Sequence, residues 1–217
     1  MDEKARQRFN NLHAKGMKLR DRYPRPALTA FQLADETAAD AGDERMRLNA
    51  LNPMARALWH LGRYDEAAER LKEAKSIAEK LTLIDESAIA VSNLGRLAAV
   101  QVVETVAVED QGQQFRIRSV PHFAEARKML SNHPHYYFRY ANAQHGAGVA
   151  ALAGVRQEAA NLIADGMSVA FSVSPQPYDQ VKTSDINPRG LEQMATALAY
   201  LAHGDARLAE QLREQIR

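Results

Sequence analysis

The chain contains no cysteine among its 217 residues, and this absence excludes disulfide bonds, thiolate nucleophiles and thiolate metal sites. It also suits a reducing compartment. No apolar run approaches the roughly 20 residues needed to span a bilayer, and residues 1–20 lack the apolar core of a signal peptide. These absences lead us to expect a cytoplasmic protein.

A net charge of one sign is also missing, because the chain carries 28 basic and 27 acidic residues. This balance gives no indication of a nucleic-acid partner or of an acidic membrane surface. The first 26 residues differ, since they hold eight basic and three acidic side chains. This local excess predicts a solvated basic helix face, or alternatively a patch for nucleic acid or for an acidic partner.

Strand patterns are almost absent as well, and helical periodicity covers nearly the whole chain. We therefore predict an all-α fold of ten helices, which pair as five hairpins. Their predicted ranges are 2–21, 26–41, 44–61, 64–81, 85–109, 121–131, 135–153, 155–171, 188–203 and 205–216. The exception is QQFRIRSV (113–120), whose alternation predicts a loop or a small hairpin.

Glycines and alanines recur at matching positions in successive hairpins. Gly62, Gly154 and Gly204 each interrupt an apolar run just before a new helix, where a left-handed or tight turn needs no side chain. An alanine follows each of them by five residues. Small alanines let two helices approach closely, and a large residue four positions later fills the groove beside them. Such pairs, with Glu before the alanine, are Ala67 and Leu71, Ala126 and Leu130, and Ala159 and Ile163.

The segment LGRYDEAAERLKEA (61–74) resembles the second half of a tetratricopeptide repeat, with its turn glycine, following aromatic residue, small alanine and large apolar residue. Upstream, ALNPMARALWHLG resembles the first helix of the repeat, and Gly95 follows Ala55 by 40 residues at the matching position. The resemblance implies a right-handed superhelical solenoid of about five hairpins whose concave groove binds a peptide or protein segment. An irregular helical bundle with one good hairpin is the alternative.

The resemblance divides the chain into four segments: a basic N-terminal helix and first hairpin (1–43), a repeat core (44–171), a loop (172–187) and a C-terminal capping hairpin (188–217). Pro53 lies inside a helix of the core, and it predicts a kink or a break with Asn52 capping a fresh start. The polar loop is predicted to be mobile when free and to fold over the groove on binding.

The predicted peptide-binding set follows from aligning the repeats on their turn glycines. A guanidinium can bind a carboxylate through two parallel hydrogen bonds, and asparagine amides can hold a peptide backbone. We therefore expect a groove for a carboxylate-bearing or acidic segment, unless the arginines are only solvated or paired with a neighbouring glutamate. The aromatic residues around Tyr140 either pack against the preceding hairpin or form a ligand-facing wall. The set is Asn52, Arg56, Trp59, Ser92, Asn93, Arg96, Tyr140 and Gln144.

Patterns that would indicate catalysis are missing from the sequence. His133, His135 and His145 lack the i, i+3 or i, i+4 spacing of helical metal ligands, and no nucleophile elbow or phosphate-binding loop occurs. We therefore predict a binding protein with no cofactor and no metal rather than an enzyme. Two other hypotheses stay open: a peptide-responsive module of a bacterial transcription or signalling system, and a scaffold that forms homo-oligomers.

Overall fold

The computed structural model of the chain describes residues 2–20, 22–131, 136–172 and 188–217. Within these ranges the chain folds into eleven α-helices and contains no strand, which confirms the all-α class. The helices are α1 (Glu3–Leu19), α2 (Pro24–Asp40), α3 (Glu44–His60), α4 (Tyr64–Lys80), α5 (Ile84–Thr105), α6 (Val108–Arg118), α7 (Val120–Leu130), α8 (Tyr136–Leu152), α9 (Arg156–Ser172), α10 (Pro188–His203) and α11 (Ala206–Ile216).

The extra helix is α6, which replaces the predicted loop or hairpin at 113–120. That prediction is wrong, because the segment completes α6 and begins α7. Its apolar residues suggested a strand, yet Phe115 is fully buried while Ile117 is 60% exposed. Gln111 lies one turn before Phe115 and is buried as well, so burial follows the helical period.

Helices of equal length recur at a fixed step in the first part of the chain. α2, α3 and α4 each contain 17 residues, and α2 to α5 begin at residues 24, 44, 64 and 84. The step is thus 20 residues per helix and 40 per hairpin. This regularity accounts for the 40-residue spacing seen in the sequence, and it is consistent with a helical repeat.

Three turns of the same kind join these helices. The central residue of each turn has a left-handed backbone, with φ of +65° at Gly42, +72° at Gly62 and +56° at Thr82. Its N–H donates to a carbonyl three residues earlier, and the next N–H donates to a carbonyl five residues earlier. Both bonds satisfy carbonyls that the ending helix leaves without partners. Gly154 and Gly204 also have positive φ, so the predicted left-handed turns at the three glycines are confirmed.

The chain forms two compact units, residues 1–93 and 94–217, with the boundary inside α5. In the first unit α1 packs on α2, α2 on α3 and α3 on α4. One buried cluster there comprises Phe9, Ala34, Ala38 and Ala50. Gly16 permits the closest approach, because a Cβ at that position would lie 2.5 Å from the Phe31 ring. The four predicted segments differ from this division and stay predictions.

A charge network crosses three helices of the first unit. Arg47 on α3 donates through Nε to Asp35 of α2 at 3.1 Å and through a terminal nitrogen to Glu73 of α4. Arg70 donates to the same Glu73 at 2.7 Å. Burial raises the pKa of Asp35, and Arg47 opposes that shift. The positive charge of Arg47 therefore offsets the negative charges of Asp35 and Glu73, which the packing of the helices brings close together.

The second unit is built around α8, which packs against α6, α7, α9, α10 and α11. Small residues make this possible, because a Cβ at Gly146 would lie 2.8 Å from the Phe123 ring and one at Gly148 would lie 3.1 Å from Leu212. The glycines of α8 therefore allow close packing on this face. The alanines at the matching hairpin positions are all buried: Ala67, Ala126, Ala159 and Ala209.

Two sequence predictions bear on irregular parts of the chain. Helix α3 continues through Pro53 without interruption, so a break capped by Asn52 is wrong, and a kink stays a prediction. The predicted movement of the 172–187 loop concerns residues that, beyond Ser172, lie outside the described ones. His133 and His135 also lie outside the described residues.

Candidate functional site

A row of polar side chains runs along α3 on the side away from its buried residues. The spacing of i, i+4, i+7, i+11 and i+15 keeps these residues on one helical face. The row consists of Arg45, Asn49, Asn52, Arg56 and His60, of which the first, second and last are exposed and the other two half-buried. We call it the α3 polar row. Alternating with it, Leu48, Leu51, Ala55 and Leu58 are buried.

Two side-chain contacts connect the α3 polar row to the first half of α5. Asn93 Nδ2 donates to Asn52 Oδ1 at 3.4 Å. One end of the row forms an ion pair in which Arg45 lies 3.7 Å from Glu86. Each contact joins residues 41 positions apart, so the two helices lie side by side in a constant register. The two predicted asparagines therefore meet on one polar face of the first unit.

α3 also contacts α1, through a histidine. His13 lies 3.2 Å from the carbonyl oxygen of Asn49, and because that oxygen can only accept, the ring nitrogen Nε2 is the donor. The His13 ring stacks on Phe9 at 5.7 Å and meets Phe31 edge-on at 5.8 Å. Burial lowers the pKa of His13 below 6.5, and the bond to Asn49 partly offsets this. The first helices of consecutive hairpins are therefore adjacent from α1 to α5.

The other predicted residues of the first unit differ in their exposure. Arg56 and Ser92 are half-buried, with Arg56 in the α3 polar row and Ser92 beside Asn93. Trp59 is 9% exposed, so most of its ring packs inside the unit, and it lies 5.7 Å from the ring of His60. The first unit thus contains five of the eight predicted residues, of which Asn52 and Asn93 are in contact.

The remaining three predicted residues belong to the second unit. Arg96 is half-buried on α5. Tyr140 is only 2% exposed, and its hydroxyl accepts a hydrogen bond from the main-chain N–H of Leu191, in the first turns of α10. Burial raises the pKa of this phenol. Gln144 lies one turn further along α8, and both side chains approach Gly190. Tyr140 and Gln144 therefore hold α8 against α10.

The chemistry of the polar face is that of reversible binding. Asparagine amides offer one acceptor oxygen and two N–H donors, which complement the groups of a peptide backbone. Within the described ranges no group of three or more His, Asp or Glu side chains is placed to hold a metal ion. Among the same residues, none of the helices is both long and apolar enough to cross a membrane.

Sequence reasoning missed four residues of this face: His13, Arg45, Asn49 and Glu86. Two of them became visible only when α1, α3 and α5 were placed side by side. Arg45 and Asn49 had a signal in the sequence, since they precede Asn52 and Arg56 at helical spacing. His13 and Glu86 carried none, because their roles depend on contacts with another helix.

Comparison with known proteins does not identify a family. No protein-family model matches the chain, and no curated protein matches it as a relative. The function therefore has to be inferred from the geometry of the chain itself.

Proposed function

We propose that the protein is a tetratricopeptide-like binding module whose α3 polar row and neighbouring α5 residues hold an extended segment of another protein. The observation that carries this proposal is the contact between the amides of Asn93 and Asn52 at 3.4 Å. Two helices of successive hairpins present these amides on a common polar face. The proposal includes a right-handed array and a cytoplasmic role without a cofactor.

The amide pair has hydrogen-bonding capacity left for a ligand. The mutual bond uses one N–H of Asn93 and one acceptor site on Asn52. Among the described residues, the other amide groups of this pair have no further hydrogen-bond partner. A peptide bound in an extended conformation exposes N–H and carbonyl groups at intervals and can use those positions.

Charged groups of the row define the class of segment that fits. Arg45 and Glu86 supply one group of each sign at one end, with the arginine side chain 64% exposed. Arg56 lies one turn beyond Asn52 on the same face. A guanidinium forms stronger hydrogen bonds with carboxylates than with neutral acceptors. We therefore propose that segments with an acidic side chain or a free carboxyl terminus bind best.

Selection from a displayed library of short random peptides tests the proposal directly. Peptides selected on the wild-type chain should lose about tenfold in affinity when Asn52→Ala and Asn93→Ala are combined, because two or more hydrogen bonds are lost. Gln157→Ala with Asn161→Ala is the matched control. Those two side chains form an exposed amide pair at 3.0 Å on α9, far along the chain from the polar row.

Three results distinguish the outcomes. Loss of affinity in the Asn52 and Asn93 variant alone supports the proposal, provided circular dichroism shows an unchanged helix content. Equal affinity in both variants, or failure to select any peptide, contradicts it. Capping the carboxyl terminus of a selected peptide as an amide, compared in wild type and Arg56→Ala, then tests carboxylate recognition.

A further inference from the structure

The first helix carries a row of cations on a face that no other described helix covers. Residues 4–20 contain six basic side chains and no acidic one. Lys4, Arg8, Lys15 and Lys18 follow each other at spacings of 4, 7 and 3 residues, which keeps them on one side of α1. All four are exposed. We call this row the basic stripe; at 1.5 Å per residue it is about 21 Å long.

These cations differ from most basic residues of α3, α4 and the turn between them. Six arginines and lysines of α3, α4 and the turn between them lie within 4.0 Å of a carboxylate: Arg45, Arg47, Arg63, Arg70, Lys72 and Lys75. By contrast, no carboxylate among the described residues forms an ion pair with the basic stripe. Its charges are therefore available to an outside partner.

The position of the basic stripe corresponds to a packing face of the repeat. α3 contacts α1, α2 and α4, and eight of its residues are buried. α1 packs mainly against α2 and more weakly against α3, and its buried residues are Phe9 and Gly16. The stripe thus occupies a side of α1 where, in the next hairpin, a neighbouring helix would lie.

We propose that the basic stripe is a docking surface for an acidic α-helix of a partner protein. The stripe is one helix wide, and an antiparallel helix with carboxylates at the reverse spacing can meet all four cations. Each exposed pair contributes little alone, so the matched row is what creates specificity. This surface is separate from the α3 polar row and does not depend on the function proposed for it.

The N-terminal end of the stripe favours a protein over a nucleic acid. Lys4 and Arg8 border a cavity of about 450 Å³ whose other walls include Ala5, Thr37 and Ala41. Asp2 and Asp40 also line it. A neutral or basic side chain of a partner protein can enter the cavity beside these carboxylates and bury surface there, and a nucleic acid has no such side chain to insert.

The probe for this proposal is a synthetic alanine- and glutamine-rich helix with glutamates at the reverse of the stripe spacing. Its control has the same composition but distributes the glutamates around the helix. At low salt the matched peptide should bind the full chain about fivefold more tightly than the control peptide, and the difference should shrink at high salt. Lys15→Gln with Lys18→Gln should abolish the preference.

A second pair of substitutions separates the stripe from general charge effects. Lys72→Gln with Lys75→Gln removes two cations from α4 and should leave the preference intact. Equal binding of both peptides, or no binding of either at millimolar concentration, would show that the stripe is only a solvated helix surface. Tighter binding of a short mixed-sequence DNA duplex, with the same dependence on Lys15 and Lys18, would overturn the proposal in favour of a nucleic acid.

Discussion

His13 on α1 donates a hydrogen bond at 3.2 Å to the main-chain carbonyl of Asn49 on α3. In a regular helix the Asn49 carbonyl would accept a hydrogen bond from the N–H of residue 53. Residue 53 is proline, which has no N–H, so this carbonyl lacks its usual donor within the helix. The helix therefore continues through Pro53 while a side chain from the preceding hairpin satisfies the acceptor that the proline left open. The hydrogen bond that Pro53 removes from α3 is thus replaced by one between two hairpins.

Protonation of His13 should weaken the first unit. Its pKa is below 6.5 in the folded chain, mainly because of burial, with Arg20 acting in the same direction. The unfolded chain then binds more protons between the lowered pKa and about 6.5, so the free energy of unfolding falls as pH decreases through that window. Urea unfolding at several pH values should show this dependence in wild type and a reduced dependence in His13→Gln. The exposed His203 provides a matched histidine-to-glutamine control, and equal behaviour of the two variants would contradict the prediction.

The contact also predicts coupling between His13 and Pro53. In Pro53→Ala the new N–H can bond to the Asn49 carbonyl within α3, so His13 loses part of its role. His13→Gln should therefore cost less in the Pro53→Ala background than in wild type, by about 0.5–1 kcal/mol. A double-mutant cycle from chemical denaturation measures this difference. Strict additivity would show that the two residues act independently.

The turn at Thr82 should be improved by glycine. A β-branched residue with φ of +56° is strained, while Gly42 and Gly62 occupy the same place in the two earlier turns. Thr82→Gly should raise the free energy of unfolding by about 0.5–1 kcal/mol, even though the hydroxyl bond to the Leu81 carbonyl is lost. Gly62→Thr is the reciprocal change and should destabilise. An unfolding midpoint that falls for Thr82→Gly would mean that the hydroxyl bond outweighs the strain.

A side chain at Gly190 should disturb the contact between α8 and α10. A Cβ there would lie 2.6 Å from the Tyr140 hydroxyl and 2.9 Å from Gln144 Oε1. Gly190→Ala should lower the free energy of unfolding by about 1–3 kcal/mol, as overpacking usually does. Adding Tyr140→Phe removes the nearest oxygen and should recover part of that loss. Absence of any recovery would place the strain at Gln144 or in the backbone.

Arg47 should be the most sensitive member of the charge network. Its removal leaves Asp35 and Glu73 close together without the guanidinium that both contact. Arg47→Ala should destabilise the first unit by about 2 kcal/mol, and combining it with Asp35→Asn should restore part of the loss. The exposed pair of Lys72 and Glu69 on α4 offers a control in which Lys72→Ala changes stability little.

Local signals in the sequence were sufficient for the positions of most helices. Apolar periodicity and the turn glycines depend on neighbouring residues, and they placed ten helices correctly. They failed at α6, where Phe115 and Ile117 alternate as in a strand although only Phe115 is buried. They also did not predict the left-handed turn at Thr82, because no glycine indicates it in the sequence.

The candidate site was harder to predict because it depends on which helices are neighbours. Asn52 and Asn93 were found from the repeat alignment, and they do meet. The burial of Tyr140 was not predicted. Aromatic residues occur on several faces of α8, and the sequence does not show which of these faces α10 covers. His13 was invisible for a related reason, as its acceptor exists only because of a proline on another helix.

The turns at Gly42, Gly62 and Thr82 have the same conformation and hydrogen bonds, so the connections between helices of the first unit are interchangeable. An in-frame duplication of one 40-residue block would begin and end in turns of the same conformation. The inserted hairpin would therefore pack against helices of the same kind on both sides. A chain of this kind can therefore lengthen by copying a gene segment, without a new packing arrangement having to arise at each end.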